Sequence, residues 1–235
     1  DYHAFMQALE EKHPHQQDFL QAVAEVLEDV IPFINDNPQY AQHALLDQLT
    51  EPEQIVSFRV TWQDDHGDVH VNRGYRVQFN GAIGPYKGGL RFHPAVTPGM
   101  LKFLAFEQTF KNSLTGLPLG AGKGGADFDP KGRSDDEIRR FCRQFMLGLY
   151  RHIGPEQDIP AGDMGVGERE IGYLFGMYQQ IVGRFEGSMS GKGLSYGGSA
   201  MRTEATGYGL IHIARRALEH HDKTLDKMSA VVSGA

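Results

Sequence analysis

At 235 residues, 40% of them hydrophobic, the chain has material for one large domain or two small ones, and its net charge of −7 carries no basic stripe for a nucleic-acid surface. No apolar run approaches the roughly 18 residues of a membrane span, and the opening DYHAFMQALEEKH lacks the basic start and apolar stretch of a signal peptide. A single cysteine, Cys142, excludes an internal disulfide, so a cytoplasmic protein is expected, with no nucleic-acid partner, no membrane association and no metal site.

In chain order, residues 16 to 34 place Phe19, Val23, Val26, Leu27, Val30 and Ile34 at helical spacing, an amphipathic helix. Val56, Phe58, Val60 and Trp62 alternate, as do Val69, Val71, Tyr75, Val77 and Phe79; Asp65-His66-Gly67-Asp68 between them predicts a hairpin of two strands. Thr97-Pro98 is a helix start and Gly116 with Pro118 a stop. The helix between is apolar nearly all round through Leu101, Phe103, Leu104, Phe106, Phe110 and Leu114, so it is expected to be buried, with Gln108 and Lys111 three apart on one face in a polar pocket. Snorkelling of Lys111 to the surface is the alternative.

The stretch PLGAGKGGADFDPKG, residues 118 to 132, sets Lys123 among small residues. A phosphate loop requires Gly, four residues, then Gly-Lys-Ser/Thr. Leu117 stands where the first glycine belongs and Gly124 where the hydroxyl belongs, so the pattern fails twice. What remains is a lysine that backbone or substrate can approach closely, or else a solvated lysine on a mobile surface loop. From Gly84 to Gly125 the cations Lys87, Arg91, Lys102, Lys111 and Lys123 face one acid, Glu107, a balance of +4 within a chain of −7. A cationic pocket for a small anionic ligand is expected.

Ser134 and Glu137 form a capping box for a helix that turns Ile138, Phe141, Cys142, Phe145 and Leu149 inward, ending at Gly154-Pro155, with Cys142 as a small core hydrophobe. A loop holding Asp158 and Asp163 follows, both read as turn formers with Asp163 ambiguous, then a helix with Ile171, Leu174, Phe175, Tyr178 and Ile181 inward. Thr203 is expected to cap a helix to about His220, and Met228 to Val232 to form a strand ending at Ser233-Gly234-Ala235, as a dinucleotide-binding fold begins. That ending suggests a larger protein divided between domains.

Five motifs, in order, resemble the glutamate dehydrogenases: Gly84-Pro85-Tyr86-Lys87-Gly88-Gly89-Leu90-Arg91-Phe92-His93-Pro94; Phe106-Glu107-Gln108-Thr109-Phe110-Lys111-Asn112; Gly122-Lys123-Gly124-Gly125; Pro160-Ala161-Gly162-Asp163; and Thr203-Glu204-Ala205-Thr206-Gly207-Tyr208-Gly209. The resemblance runs from about residue 16 to the end and is strongest to the small-subunit hexameric bacterial type that uses NADP. It implies an α/β fold, a mixed sheet flanked by helices over residues 1–200 for substrate binding and oligomerisation. Residues 201–235 would be the connecting helix and first strand of a truncated Rossmann domain.

The implied reaction is reversible reductive amination of 2-oxoglutarate with ammonia and NAD(P)H to glutamate, in a homo-hexamer, with NADP as coenzyme and NAD not excluded. The resemblance assigns Lys123 to acid/base work on the carbonyl and Asp163 to proton transfer with the nitrogen, Gly162 nearby. It assigns Lys87 to the distal carboxylate, and Lys111 with Gln108 to the carboxylate beside the reacting carbon. Thr206 and Arg202 would meet the nicotinamide. Related leucine and phenylalanine dehydrogenases carry an apolar residue where Lys87 stands, so Lys87 implies a dicarboxylate. These residues alone are expected not to turn over, and a non-catalytic assembly or regulatory domain is the competing reading.

Overall fold

The computed structural model describes residues 2–202 and 204–232, with the side chains of residues 41–43 also outside the description. Five strands form one mixed sheet in the order β1-β2-β4-β3-β5. The strands are β1 (Gln54–Gln63), β2 (Val69–Asn80), β3 (Tyr86–Phe92), β4 (Ala121–Ala126) and β5 (Asp158–Gly162). β1, β2 and β4 pair antiparallel, whereas β3 runs parallel to both β4 and β5. The expected α/β architecture is therefore present.

The β1–β2 hairpin forms where alternation predicts it. Asp64 Oδ1 accepts from the backbone N–H groups of His66 and Asp68, each at 2.9 Å, and Gly67 takes φ 92, the left-handed conformation the turn needs.

Helices cover both faces. On one side lie α1 (Tyr2–Lys12), α2 (Gln17–Asp36) and α4 (Pro98–Ser113), whose Phe19, Val23, Leu27, Leu101 and Phe106 pack with Val77, Phe79 and Ala121 of the sheet. On the other, α5 (Asp135–Leu149) and α6 (Glu168–Val182) close over Val60, Trp62, Leu90 and Phe92, with Cys142 buried as expected. The Ser134–Glu137 capping box forms in both directions, and Thr97 accepts from Met100 N–H at the start of α4. The short helix α3 (Leu45–Thr50) links α2 to β1.

Several expectations are corrected. α4 is not buried all round: Phe103, Leu104 and Phe110 are half-buried, Lys111 is exposed, and Leu114 lies past the helix end with 87% of its surface exposed. One face of α4 meets the sheet, down to the buried Asn112 of its last turn, while Lys111 and Ser113 on the opposite side of that turn stay exposed. Residues 118–132 are not a mobile loop, because every residue of β4 is buried at the centre of the sheet. Asp158 is no turn former; it is a fully buried residue at the start of β5. The strand expected at Met228 to Val232 does not form: a strand needs a neighbour to complete its hydrogen bonds, and these residues have none within the described chain. The connecting helix α7 (Ala205–His220) does form and ends at His220 as expected, with none of its residues buried. The predicted Thr203 cap and the terminal Ser233-Gly234-Ala235 lie outside the described residues.

Candidate active site

Strand alternation decides which side chains share a face. Lys123 lies opposite Val77, whose side chain belongs to the α4-side core. On β3, Leu90 and Phe92 point to the α5–α6 side, so Lys87 and Arg91 point to the α4 side with Lys123. Gly162 pairs with Leu90, which places Asp163 next to Arg91. Strands β3 and β4 and the end of β5 thus deliver Lys87, Arg91, Lys123 and Asp163 to one surface of the sheet, with Lys87 near the amino end of β3 and Arg91 and Asp163 at the carboxyl ends.

The contacts agree. Asp163 Oδ2 accepts from Arg91 Nε at 2.8 Å and lies 3.4 Å from Lys123 Nζ. Lys87 Nζ donates to Ser190 Oγ at 2.8 Å. Ser190 is in turn fixed to β5 by its N–H, which donates to the Pro160 carbonyl at 2.9 Å.

The lysines are only 8% exposed at Lys123 and half-buried at Lys87. Burial is the main reason that Lys123 holds its proton less tightly than a free lysine; Asp163 opposes that shift, while Arg91 and Lys111 reinforce it. The pKa of Lys87 is pushed down to about 8, first by burial and then by Arg76 and Arg202, with Asp158 opposing. Desolvation therefore outweighs the carboxylate 3.4 Å from Lys123.

The +4 segment does not act as one cluster. Lys111 is exposed at the rim, although its charge reaches Lys123. Lys102 is buried elsewhere, with Nζ 3.0 Å from His13 Nε2 and 4.1 Å from the centre of the Phe19 ring. Gln108 is half-buried and gives its amide to Asn112 Oδ1 at 2.7 Å. Asn112 itself donates to the carbonyls of Lys87 and Gly120 at 3.1 and 2.6 Å, clasping β3 to the segment before β4.

Gly162 lines a cavity of about 360 Å³ together with Gly191, Lys192, Ser199, Arg202 and Glu204. Arg202 is exposed, and Thr206 is exposed on the first turn of α7. Three residues that matter locally were given no role from sequence, Ser190, Asn112 and the partner of Asp158, Arg76, and Arg91 was counted only among the cations of the expected pocket. Arg91 and Asn112 sat inside quoted motifs. Ser190 carried no signal of its own, because a serine in a polar, glycine-rich stretch is ordinary.

The family model described as "Glu/Leu/Phe/Val dehydrogenase, dimerisation domain" matches residues 52–180, and one described as "Glutamate/Leucine/Phenylalanine/Valine dehydrogenase" matches residues 197–235. The chain is 55% identical over 230 residues to an NADP-specific glutamate dehydrogenase of Helicobacter pylori, covering 98% of this chain and 51% of that protein. It is 54% identical over 227 residues to an NAD-specific glutamate dehydrogenase of Clostridium symbiosum, covering 96% and 50%. A crystal structure of Plasmodium falciparum glutamate dehydrogenase superposes with a TM-score of 0.90 at 52% identity, over 94% of this chain and 47% of that one. The chain spans about half the length of the curated relatives it matches.

Proposed function

The chain belongs to the Glu/Leu/Phe/Val dehydrogenase family, and on that premise we propose that it forms the substrate half of a glutamate dehydrogenase catalysing reversible reductive amination of 2-oxoglutarate with ammonia. The observation that carries this reading is the desolvated Lys123 facing Asp163 at 3.4 Å, with the cationic Lys87 on the same sheet face.

A dicarboxylate needs two cationic anchors spaced along its length. Lys87 takes the distal carboxylate. Lys111 at the rim and Gln108 take the carboxylate beside the reacting carbon. Lys111 is exposed, and its charge reaches Lys123.

Lys123 polarises the keto oxygen and carries the proton that accompanies loss of water from the carbinolamine. Free lysine titrates near ~10.4, so general acid/base work near neutrality requires a lowered pKa, the direction burial gives here. Asp163 exchanges protons with the nitrogen, and its Oδ2 is oriented by Arg91 at 2.8 Å. The Gly162 carbonyl faces the same nitrogen.

The 360 Å³ cavity between Gly162 and Arg202 suits the reactive end of a nicotinamide coenzyme, since a backbone strand end and a cation border it one residue from Asp163. Arg202 and Thr206 would hold that end, and the coenzyme when bound supplies the reducing electrons. NADP is the coenzyme we propose. NAD is retained because an NAD-specific relative is 54% identical. Residues 1–200 serve substrate binding and assembly, residues 201–235 open the dinucleotide domain, and the protein acts in the cytoplasm as a homo-hexamer. Without the remainder of the dinucleotide domain the chain would not turn over.

The test is steady-state kinetics of the full-length protein with 2-oxoglutarate, ammonia and each coenzyme. Preference for a monocarboxylic 2-oxo acid over 2-oxoglutarate would overturn the dicarboxylate assignment.

A further inference from the structure

Arg76 and Asp158 are both completely buried, and the sheet order places two strands, β4 and β3, between them. Arg76 nevertheless reaches Asp158 with two hydrogen bonds, Nε to Oδ2 at 2.9 Å and Nη2 to Oδ1 at 2.5 Å. The glycines of β4 make this reach possible. A methyl at Gly122 would stand 3.1 Å from Arg76 Nη2, and one at Gly124 would stand 3.0 Å from its Cδ. The face of β4 opposite Lys123 is thus a trough, and the Arg76 side chain lies in it.

The trough runs under a stretch where β3 and β4 lie side by side without a regular ladder. The ladder between β3 and β4 covers only Leu90 to Phe92, so Tyr86 to Gly89 have no ladder partner on the β4 side. Arg76 supplies what the ladder lacks, with Nη1 donating to the Gly88 carbonyl at 3.2 Å and lying 3.5 Å from that of Gly89. From the other face, Asn112 donates to the Lys87 carbonyl at 3.1 Å. The peptides on the C-terminal side of Lys87 are therefore held from both faces. Gln78 completes the arrangement, donating to Asp158 Oδ2 at 3.0 Å and to the His152 carbonyl at 2.9 Å.

A buried ion pair is a weak device for stability, because desolvation cancels most of its attraction and apolar replacements are often neutral. Fixing the alignment of two strands whose ladder is incomplete is a use that apolar packing serves poorly.

We infer that Arg76 and Asp158 are positioning residues for Lys87, holding its backbone at a fixed offset from Lys123 so that a substrate bearing a distal carboxylate is selected. The inference rests on the role given to Lys87 above. Neither residue touches substrate.

The experiment measures kcat/KM of the full-length enzyme for 2-oxoglutarate and for 2-oxopentanoate, which has the same reacting centre and no distal carboxylate. Their ratio does not depend on how much of the enzyme is folded, since both substrates sample the same active molecules. Lys87→Met is the reference and should lower the ratio by on the order of 100-fold, the loss of a charged contact. Arg76→Lys keeps the charge and removes the fork, and should lower the ratio about tenfold while kcat/KM for 2-oxopentanoate stays within about twofold. If both substrates lose activity together, or neither does, the positioning role is wrong. Should Arg76→Lys give no folded enzyme, Gln78→Met decides: it leaves both charges in place and should lower the ratio about threefold, and an unchanged ratio overturns the inference. A ratio unmoved even by Lys87→Met removes the anchor assignment and this inference with it, whereas a ratio moved by Lys87→Met alone removes only the inference.

Discussion

Lys123 Nζ and Asp163 Oδ2 stand 3.4 Å apart, one from the middle of β4 and the other just past the end of β5. Arg91 holds the same carboxylate oxygen at 2.8 Å, so the carboxylate answers two cations at once. The lysine is buried and the carboxylate is oriented, as the proposed proton transfers require.

Lys123→Ala in the full-length protein is expected to lower kcat by on the order of 10³-fold or more, with the assembled size unchanged by gel filtration. Its backbone lies within the sheet and truncation removes no backbone hydrogen bond, so the fold should be spared. Activity within tenfold of wild type would rule Lys123 out as the acid/base.

Asp163→Asn should reduce kcat by about 10²–10⁴-fold. It should also move a limb of the pH profile. Asp163 is the group that resists the downward shift of Lys123, so removing its charge lets Lys123 deprotonate at lower pH, and the corresponding limb of residual kcat/KM should move acidward. A limb that stays in place or moves toward alkali contradicts the pairing.

The charge on Lys87 sets a second pH dependence. Its pKa is pushed down to about 8 by burial, so kcat/KM for 2-oxoglutarate should fall as pH rises through that value. A bound dianion favours the charged lysine, so the same limb in kcat should lie at higher pH. The profile for 2-oxopentanoate should lack the limb, and finding it there would assign it to another group.

Stability toward acid should depend on His13. Its pKa is lowered by burial and by Lys102 and Lys12, with Glu51 opposing, and its Nε2 lies 3.0 Å from Lys102 Nζ. The unfolded chain then binds the proton more readily than the folded one. Stability is present in full above an unfolded value near ~6.5 and is lost as pH falls through that range. His13→Gln should flatten the dependence of the thermal midpoint on pH between about 5 and 7. An equally steep dependence in the variant would sink the assignment.

Gly88→Ala should destabilise by about 2–4 kcal/mol, read from denaturation midpoints. Its methyl would meet the Gly122 carbonyl oxygen at 1.7 Å, and that oxygen belongs to backbone inside the sheet, which cannot yield as a side chain would. A change below about 0.5 kcal/mol would mean the two strands part easily there.

The five longer helices and the first hairpin were legible because each carries a period or a terminator, whereas α1 (Tyr2–Lys12) and the six-residue α3 (Leu45–Thr50) were not foreseen. Ser134 with Glu137 and Thr97 with Pro98 announce their helices, and the alternation from Val56 to Phe79 announces β1 and β2. Strands β3, β4 and β5 were illegible for one reason: their glycines and prolines erase alternation, since a strand that carries a site has given up the side chains by which strands are recognised. The local roles of Lys87, Lys123 and Asp163 came from resemblance, and the geometry adds Arg91 and Ser190 as their direct partners. Arg76 and Asp158 were beyond reach because an ion pair spanning two intervening strands leaves no local pattern.

Strand β4 bears one long side chain, Lys123, and is bare beneath it because Arg76 occupies the space. A strand committed on both faces has no position left to vary. Laboratory evolution toward other 2-oxo acids should therefore find almost no tolerated change between Gly122 and Gly125, and new specificities should arise instead at Lys87 and Ser190, whose side chains meet each other rather than the backbone of a neighbouring strand.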